Sequence, residues 1–264
     1  GGWFDLARRL RHGLDYLRFL DRRYETTPHL VARARERAPA VVLALLRLPV
    51  LRADRGREWL ARVLRALERA LPRVQALEQF IVAHQPDAVL ITPLVELGSS
   101  QIDYLRAAKA LGIRTVLPVS SWDHLSSKAP LRLMPDAVIV WNDVQRTEAI
   151  EMHRVPAERV VVTGAQCYDQ WWDRPPSRTR QAFCEAVGLR PDKPFVLYVC
   201  SSLFRNTVDE PPFVLDWIQA LRSSDDPRLK DIGLLVRPHP ARSKEWQPID
   251  LSGYRQVALF GAHP

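Results

Sequence analysis

An arginine and a histidine, each followed by a proline, end an apolar run late in the sequence, as Arg237-Pro238-His239-Pro240. A guanidinium carries a planar fork of donors that matches phosphate oxygens. An imidazole can donate to the same phosphate or transfer a proton near neutral pH. Each proline holds the residue before it extended, which limits the freedom of both side chains. The spacing predicts a phosphate-binding pair; a salt bridge for Arg237 and a loop cap for His239 are the structural alternative.

A second cluster of ionisable side chains follows the apolar run at residues 114–119. Within it, Asp123 has the chemistry of a general base that takes a proton from an acceptor hydroxyl, and His124 is the rival base. Lys128 can neutralise an anionic acceptor or a donor phosphate, and Trp122 lies beside them on the acceptor side. The structural alternative is a loop in which Asp123 caps backbone amides and Trp122 packs inward.

Small hydroxyl residues and an arginine follow a third apolar run, at residues 195–200. Ser201 and Ser202 come directly after this run, and Arg205 follows in the same turn. Donors at a strand-to-helix turn can bind a phosphate. These residues therefore predict a further part of the phosphate site, with ordinary turn chemistry as the alternative.

The elements that must position these residues alternate between short apolar runs and windows of helical spacing. Short continuous apolar runs are typical of strands covered on both faces. Their alternation with helices predicts a mostly parallel, doubly wound α/β sheet, in which ligands bind at the carboxyl ends of the strands. Strands are predicted at residues 88–91, 114–119, 136–141, 159–162, 195–200, 232–236 and 256–260.

In the first third of the chain the apolar residues recur every three or four positions, as in amphipathic helices. The first predicted helix carries the apolar residues Trp3, Leu6, Leu10, Leu14, Leu17 and Leu20. We predict a basic helical region at residues 1–80, a Rossmann-like domain at 81–165, a linker at 166–176 and a second Rossmann-like domain at 177–264. The second domain has only about three predicted strands and is expected to be truncated, and a chain that begins without Met is expected to be a fragment.

The positive charge of the chain lies in this helical region. The net charge is +8, and residues 1–80 contain 17 Arg, no Lys and 9 acidic residues, which accounts for all of it. Arginine-lined amphipathic helices are most often solvated, and they can also rest on an anionic membrane surface. The region has no nucleic-acid reader motif, so no nucleic-acid partner is expected.

Several classes of site are excluded by the motifs that the sequence lacks. Cys167, Cys184 and Cys200 match no metal-ligand spacing and are expected to be reduced, buried thiols of a cytoplasmic protein. The sequence has no Gly-x-Gly-x-x-Gly fingerprint, no Walker A loop and no Gly-x-Ser-x-Gly elbow. Hydride transfer, ATP hydrolysis and esterase chemistry are therefore disfavoured, and no metal or other cofactor is expected.

The motif at residues 237–240 resembles that of GT-B type transferases, in particular CDP-glycerol glycerophosphotransferases and capsule-polysaccharide transferases. The segment from Val161 to Gly164, with Asp169 and the following Trp pair, is similar to the region where such proteins cross between their two domains. Gln166-Cys167 departs from the Gly-x-Pro that is usual there. Residues 86–172 also resemble a group of bacterial proteins with Ser-Trp-Asp and Trp-Asn signatures. The resemblance covers residues 86–262.

The resemblance implies transfer of a glycosyl or glycerophosphoryl group from a nucleotide-sugar or CDP-alcohol donor to a cell-envelope glycan or lipid-linked acceptor. Arg237, with Ser201, Ser202 and Arg205, would bind the donor phosphates, His239 would support the leaving nucleotide, and Asp123 would deprotonate the acceptor, all facing one cleft. The expected location is cytoplasmic, at the inner face of the membrane where residues 1–80 contact it. A non-catalytic nucleotide- or phosphoglycan-binding protein and a nucleotide-sugar epimerase remain as alternatives.

Overall fold

The computed structural model describes residues 2–201 and 209–261, and the chain forms two compact units. The larger unit is Gly1–Asp173 and the smaller unit is Arg174–Pro264. Their boundary lies inside the predicted linker, although Gln166–Trp171 of that linker forms a 3-10 helical segment of the larger unit. The helical region at residues 1–80 is part of the larger unit and not a separate domain.

The first third of the chain is helical, as its spacing predicted. Its helices are α1 (Gly2–Phe19), α2 (Pro28–Arg37), α3 (Ala40–Leu45), α4 (Pro49–Arg52), α5 (Asp54–Ala70) and α6 (Gln75–His84), with a 3-10 turn at Arg22–Tyr24. Helix α1 buries Leu10, Leu14 and Leu17 in one hydrophobic cluster with residues of α5. Trp3 and Leu6, which the same spacing placed on the buried stripe, are 62% and 40% exposed, so the prediction is wrong for the first turns of α1.

The larger unit contains a four-stranded parallel sheet, and the strands lie at the apolar runs that predicted them. The strands are β1 (Ala88–Leu90), β2 (Arg114–Pro118), β3 (Ala137–Val140) and β4 (Val160–Val162). The remaining helices of the unit are α7 (Gln101–Ala110), α8 (His124–Ser127) and α9 (Asp143–His153), with a 3-10 turn at Ala157–Arg159. The prediction of an α/β fold is confirmed for this unit.

Helices cover mainly one face of this sheet. The strand order is β1-β2-β3-β4, so right-handed crossovers place the connecting helices on the same face. That face carries the hydrophobic core, to which α7 contributes Leu105 and α9 contributes Ala149. Leu90, the last residue of β1, and Val161, the middle residue of β4, are 63% and 48% exposed. A doubly wound sheet needs a reversal of strand order, and the described strands of the chain show none.

The smaller unit has a second parallel sheet, with strand order β5-β6-β7. Its strands are β5 (Phe195–Val199), β6 (Gly233–Arg237) and β7 (Val257–Leu259). Its helices are α10 (Arg180–Val187), α11 (Glu210–Arg222), α12 (Pro227–Lys230) and α13 (Ser243–Trp246), with a 3-10 turn at Pro240–Arg242. The central strand β6 is the most buried, and Leu234 and Val236 pack with Ile218 and Trp246 in the core.

An ion-pair network buried inside the larger unit joins its helices. The guanidinium of Arg11, on α1, donates to both carboxylate oxygens of Asp103 on α7 and to Glu68 on α5. Ser100 and Asp103 have the spacing of a capping box at the start of α7, which predicts that their side chains cap this helix. That prediction is wrong: the Ser100 side chain makes no capping hydrogen bond, and the Asp103 carboxylate is bound by Arg11.

Two further expectations concern burial. The three thiols are free, and Cys184 and Cys200 are buried, whereas Cys167 is exposed, so the expectation of buried thiols is wrong for that residue. Along residues 2–201 and 209–261, no helix combines the length and apolar character needed to cross a bilayer.

Candidate functional site

The carboxyl edge of the first sheet gathers ionisable side chains from two strand-to-helix connections. Residues 120–128 follow β2, as predicted, and Glu96 follows β1. Oε1 of Glu96 lies 3.3 Å from Nζ of Lys128 and 3.9 Å from Nε2 of His124. Glu96 was not predicted from the sequence, although a carboxylate shortly after an apolar run is the pattern that selected Asp123. The edge therefore carries Glu96 together with His124 and Lys128.

The carboxylate of Asp123 is occupied within its own loop. The Ser121 hydroxyl donates to Oδ1 and the Ser127 hydroxyl donates to Oδ2, each at 2.6 Å. Partial burial acts to raise the pKa of Asp123, but these two hydrogen bonds and the charges of Lys128 and His124 outweigh it and hold the pKa below its ordinary value. A carboxylate of lowered pKa with both oxygens engaged is a weak proton acceptor.

His124 has surroundings that suit a proton acceptor better. The residue is only 7% exposed, and burial lowers the pKa of its imidazole, although the carboxylates of Glu96 and Asp123 oppose the shift. The ring is therefore neutral near pH 7 and has a lone pair to accept a proton. Oγ of Ser120 lies 3.4 Å from Nδ1 of His124, so an exposed hydroxyl stands next to the ring.

Trp122 does not have the inward-packed position that was the structural alternative for this loop. Its side chain is 73% exposed and does not pack inward. Asp123, in turn, accepts hydrogen bonds from serine hydroxyls and not from backbone amides. An exposed indole next to the edge leaves a flat apolar surface available to a bound molecule.

Three side chains of the N-terminal helical region hold this loop by its backbone. The carbonyls of Leu125, Ser126 and Ser127 are consecutive. Arg18 donates to the first at 2.7 Å, the Tyr24 hydroxyl donates to the second at 3.1 Å, and Arg33 donates to the third. These carbonyls end a single helical turn, where backbone acceptors lack helical partners. This role was not predicted from the sequence, because arginines on amphipathic helices are usually solvated.

A buried histidine adds a fourth contact to the same segment. The backbone amide of Leu131 donates to Nδ1 of His153 at 3.0 Å, so Nε2 carries the proton and donates to the Leu125 carbonyl at 2.7 Å. Burial and the nearby charge of Arg18 lower the pKa of His153 to about 3. His153 is therefore a neutral structural residue whose tautomer is fixed by its partners.

In the smaller unit, Arg237 ends β6 at the carboxyl edge of the second sheet, as predicted. The side chain is exposed, and it makes no hydrogen bond or ion pair with any residue of 2–201 or 209–261. It lines a cleft of about 1040 Å³, among whose described lining residues there are four arginines and no carboxylate. The salt bridge that was the alternative role for Arg237 is thus not formed with the described residues.

The same cleft offers aromatic surface beside its positive charge. Arg178 and Phe183 line it with Arg237, together with Phe195 and Phe260. Guanidinium groups bind phosphate oxygens, and aromatic rings stack on planar groups. The combination suits a ligand with a planar base and a phosphate.

His239 takes the structural role that was the alternative for it. Its Nδ1 accepts a hydrogen bond from the backbone amide of Ala241 at 3.2 Å and caps the turn that follows. In the neutral ring the proton is then on Nε2, which remains able to donate to a ligand. Capping and ligand binding use different nitrogens, so the first does not prevent the second.

The turn after β5 is organised by a residue that the sequence did not single out. The backbone amide of Ser201 donates to Oε1 of Glu210 at 2.8 Å, so this amide is not available to a phosphate. Glu210 is only 6% exposed, and Arg242 lies 3.8 Å from its other carboxylate oxygen. Ser202 and Arg205, the other predicted members of the phosphate site, lie outside the described residues.

The thiol of Cys200, next to this turn, is not a reactive group. Burial, reinforced by the negative charge of Glu210, raises the pKa of Cys200 to about 12. The thiol is therefore protonated at neutral pH and behaves as a small apolar side chain.

No known family has a model that matches this chain, and no match is found among the curated proteins. Within the part of the chain that the structure describes, no three His, Cys, Asp or Glu side chains are grouped so that they could hold a metal ion. The candidate site residues are thus identified by their chemistry and geometry.

Proposed function

We propose that this chain is part of a GT-B type transferase that moves a glycosyl or glycerophosphoryl group from a nucleotide-activated donor to a cell-envelope glycan or lipid-linked acceptor. The observation that carries the proposal is the exposed guanidinium of Arg237 in a cleft lined by arginines and phenylalanines. The arginines match the phosphates of a nucleoside diphosphate, and the phenylalanines match its planar base.

In the proposed reaction the smaller unit binds the donor. Arg237 binds the donor phosphates, and Nε2 of His239 donates a hydrogen bond to the leaving group. Both interactions stabilise negative charge that grows as the bond to the nucleotide breaks. The electron pair of that bond leaves with the nucleotide.

The larger unit supplies the base in this proposal, and we assign that role to His124 in place of Asp123. The acceptor oxygen forms a bond to the anomeric carbon, or to the phosphorus of a glycerophosphoryl donor, while its proton passes to the imidazole. The imidazole of His124 is neutral near pH 7, and its Nε2 lies 3.9 Å from Glu96; both observations support the assignment. Glu96 would stabilise the imidazolium that forms.

A non-catalytic nucleotide- or phosphoglycan-binding protein is the second candidate. It is favoured by one observation, the engagement of both Asp123 oxygens by serine hydroxyls, since the residue whose type best fits a base is used structurally. Binding without turnover is what this candidate requires.

Calorimetric titration with UDP, CDP, UDP-sugars and CDP-glycerol tests the binding step. Release of UDP or CMP in the presence of a glycan or lipid-linked acceptor tests the chemical step. The transferase proposal expects saturable binding of one nucleotide series and release of the matching nucleotide. Nucleotide binding without release in every donor and acceptor pairing would favour the second candidate in its nucleotide-binding form. No nucleotide binding at all would overturn both the transferase proposal and that form.

A further inference from the structure

A cavity of about 560 Å³ in the larger unit has a strongly basic wall that the proposed function does not use. It is enclosed by α1, the turn after it, α5, the segment at residues 130–132 and the end of α9. Seven arginines and four carboxylates line it, so the wall carries three positive charges in excess. All of these residues belong to the larger unit, so the cavity is separate from the Arg237 cleft.

The excess charge is concentrated on arginines that lack carboxylate partners. Arg23 and Arg57 pair with Asp21 and Asp54. In contrast, the lining residues Arg22, Arg65 and Arg154 form no ion pair with any residue that the structure describes. Two lining carboxylates, Glu58 and Glu151, also form no ion pair with the described residues. They are too few to neutralise the three guanidiniums.

Two further wall arginines have donors left over after their structural contacts. Arg18 binds the Leu125 carbonyl, and Arg132 binds Asp15, yet Nη1 of the first and Nε of the second are buried without a hydrogen-bond partner among the described residues. A buried donor without an acceptor costs free energy. The wall therefore has more donors than the described residues satisfy.

Arg65, on the wall of the cavity, lies near other guanidiniums that repel it. Arg65 is partly desolvated, and besides this burial the nearby charges of Arg69, Arg154 and Arg62 lower the pKa of its guanidinium. Of these neighbours Arg154 also lines the cavity, so an anion bound there would relieve the repulsion between Arg65 and Arg154.

We propose that this cavity binds a small phosphate-bearing anion. Guanidiniums from several elements converge there, which is how proteins bind phosphate oxygens. The volume lies within the range of small-molecule sites, and Leu14, Leu17 and Leu131 provide apolar wall for a non-phosphate part. A free phosphorylated compound and the phosphate head group of a lipid share this chemistry.

Calorimetric titration of the whole chain with inorganic pyrophosphate tests the free form of the ligand. Arg22→Gln and Arg65→Gln remove exposed guanidiniums that make no hydrogen bond to the described residues, so the fold should survive. Each should weaken binding about tenfold through one lost charge-assisted contact. Glu58→Gln should tighten binding because it removes negative charge from the same wall.

Two control variants separate this site from general electrostatics and from the Arg237 cleft. Arg146→Gln removes the same net charge from an exposed position of α9 that does not line the cavity, and it should leave binding unchanged. Arg237→Lys should also leave it unchanged, since that residue belongs to the smaller unit. The result for this site therefore does not depend on the proposed transferase activity.

Co-sedimentation with vesicles of phosphatidylglycerol, and with neutral phosphatidylcholine vesicles as the reference, tests the lipid form. The ligand is a lipid head group if the wild-type chain binds the phosphatidylglycerol vesicles but not pyrophosphate, and if Arg22→Gln and Arg65→Gln lose the vesicle binding. The ligand is a free phosphorylated compound if the wild-type chain binds pyrophosphate and the same two variants weaken that binding. The proposal is overturned if neither probe binds, or if Arg146→Gln weakens binding as much as the two cavity variants do.

Discussion

Arg11 donates to both carboxylate oxygens of Asp103, at 3.0 and 2.6 Å, although the two residues are 92 positions apart in the sequence. The pair joins the first helix of the chain to the helix that follows β1. Arg11 is 1% exposed and Asp103 is 8% exposed, so both charges are buried. The pair therefore connects the helical region to the first sheet within the larger compact unit.

Arg11→Leu should destabilise the protein strongly. The substitution leaves the carboxylates of Asp103 and Glu68 buried without their cation, and breaking a buried pair in this way costs about 3–5 kcal/mol. Urea denaturation measures the change in the free energy of unfolding. Arg23→Leu is the control, since its ion pair with Asp21 is exposed and is worth less than about 1 kcal/mol. Equal, small effects of the two variants would show that the buried network contributes little.

Stability should fall as the pH is lowered below about 6.5. The folded state holds the pKa of His153 at about 3, below its ordinary value of 6.5, so the unfolded state binds the proton first. The stability contributed by this group is complete above pH 6.5 and is lost progressively towards pH 3. A single such group gives a slope of up to about 1.4 kcal/mol per pH unit.

His153→Gln, which keeps a donor near Nε2, should be less stable at pH 7 and show a shallower slope between pH 6.5 and pH 4. Burial raises the pKa of Asp15 to about 6, which gives a slope of opposite sign: its contribution is lost as the pH rises. The difference between wild type and variant therefore isolates His153. Parallel curves for the two proteins would contradict the prediction.

Arg237→Lys should weaken binding of the nucleotide donor about tenfold to a hundredfold, because lysine keeps the charge but loses the guanidinium fork. The fold should survive, since Arg237 is exposed. Calorimetric titration and a melting curve measure the two effects. Arg228→Lys, an exposed arginine paired with Asp226, is the matched control and should bind the donor normally. Unchanged affinity in Arg237→Lys would remove the main support for the donor site.

His239→Gln should lower turnover more than donor affinity, because an interaction with the leaving group acts mainly in the transition state. Single-turnover rates and titration with UDP or CDP distinguish the two quantities. The side-chain oxygen of Gln can accept the same hydrogen bond from the backbone amide of Ala241. A melting curve of the variant shows whether loss of this cap has lowered the stability of the protein. A lower melting temperature with unchanged turnover would make His239 purely structural.

His124→Gln should lower turnover by about a hundredfold or more and leave donor affinity unchanged, as expected for a general base. Asp123→Asn should instead cost about 1–2 kcal/mol of stability, because it disturbs the hydrogen bonds from Ser121 and Ser127. His29→Gln, at an exposed position of α2, is the control. A larger loss of turnover in Asp123→Asn than in His124→Gln would restore Asp123 as the base.

Much of the secondary structure was determined by local sequence. Each predicted strand was found within one or two residues of its apolar run. A short continuous apolar run, such as residues 232–236, is typical of a parallel strand that is covered on both faces, so the run itself marks the strand. The prolines after Arg237 and His239 also made the end of β6 predictable. A carboxyl-edge position for Arg237 followed from these local features alone.

The roles of the charged residues were decided only by the tertiary structure. The spacing of Arg11, Arg18 and Arg33 on amphipathic helices indicated solvated faces, since a charge is normally buried only with a partner. Their partners are Asp103 and the carbonyls at the end of a helical turn, all distant in sequence. No local pattern could identify them, because contacts between distant segments depend on how the helices pack on the sheet.

The same reason explains why the sequence favoured Asp123 as the base whereas we propose His124. Both side chains follow β2, and from the sequence alone Asp123 was the predicted base and His124 its rival. The structure distinguishes them because Ser121 and Ser127 donate hydrogen bonds to the Asp123 oxygens, whereas burial keeps the His124 ring neutral despite the nearby charge of Glu96. The sequence by itself placed both residues at the edge of the sheet, and only the packing around them set their proton affinities, because a pKa depends on burial and on neighbouring charges.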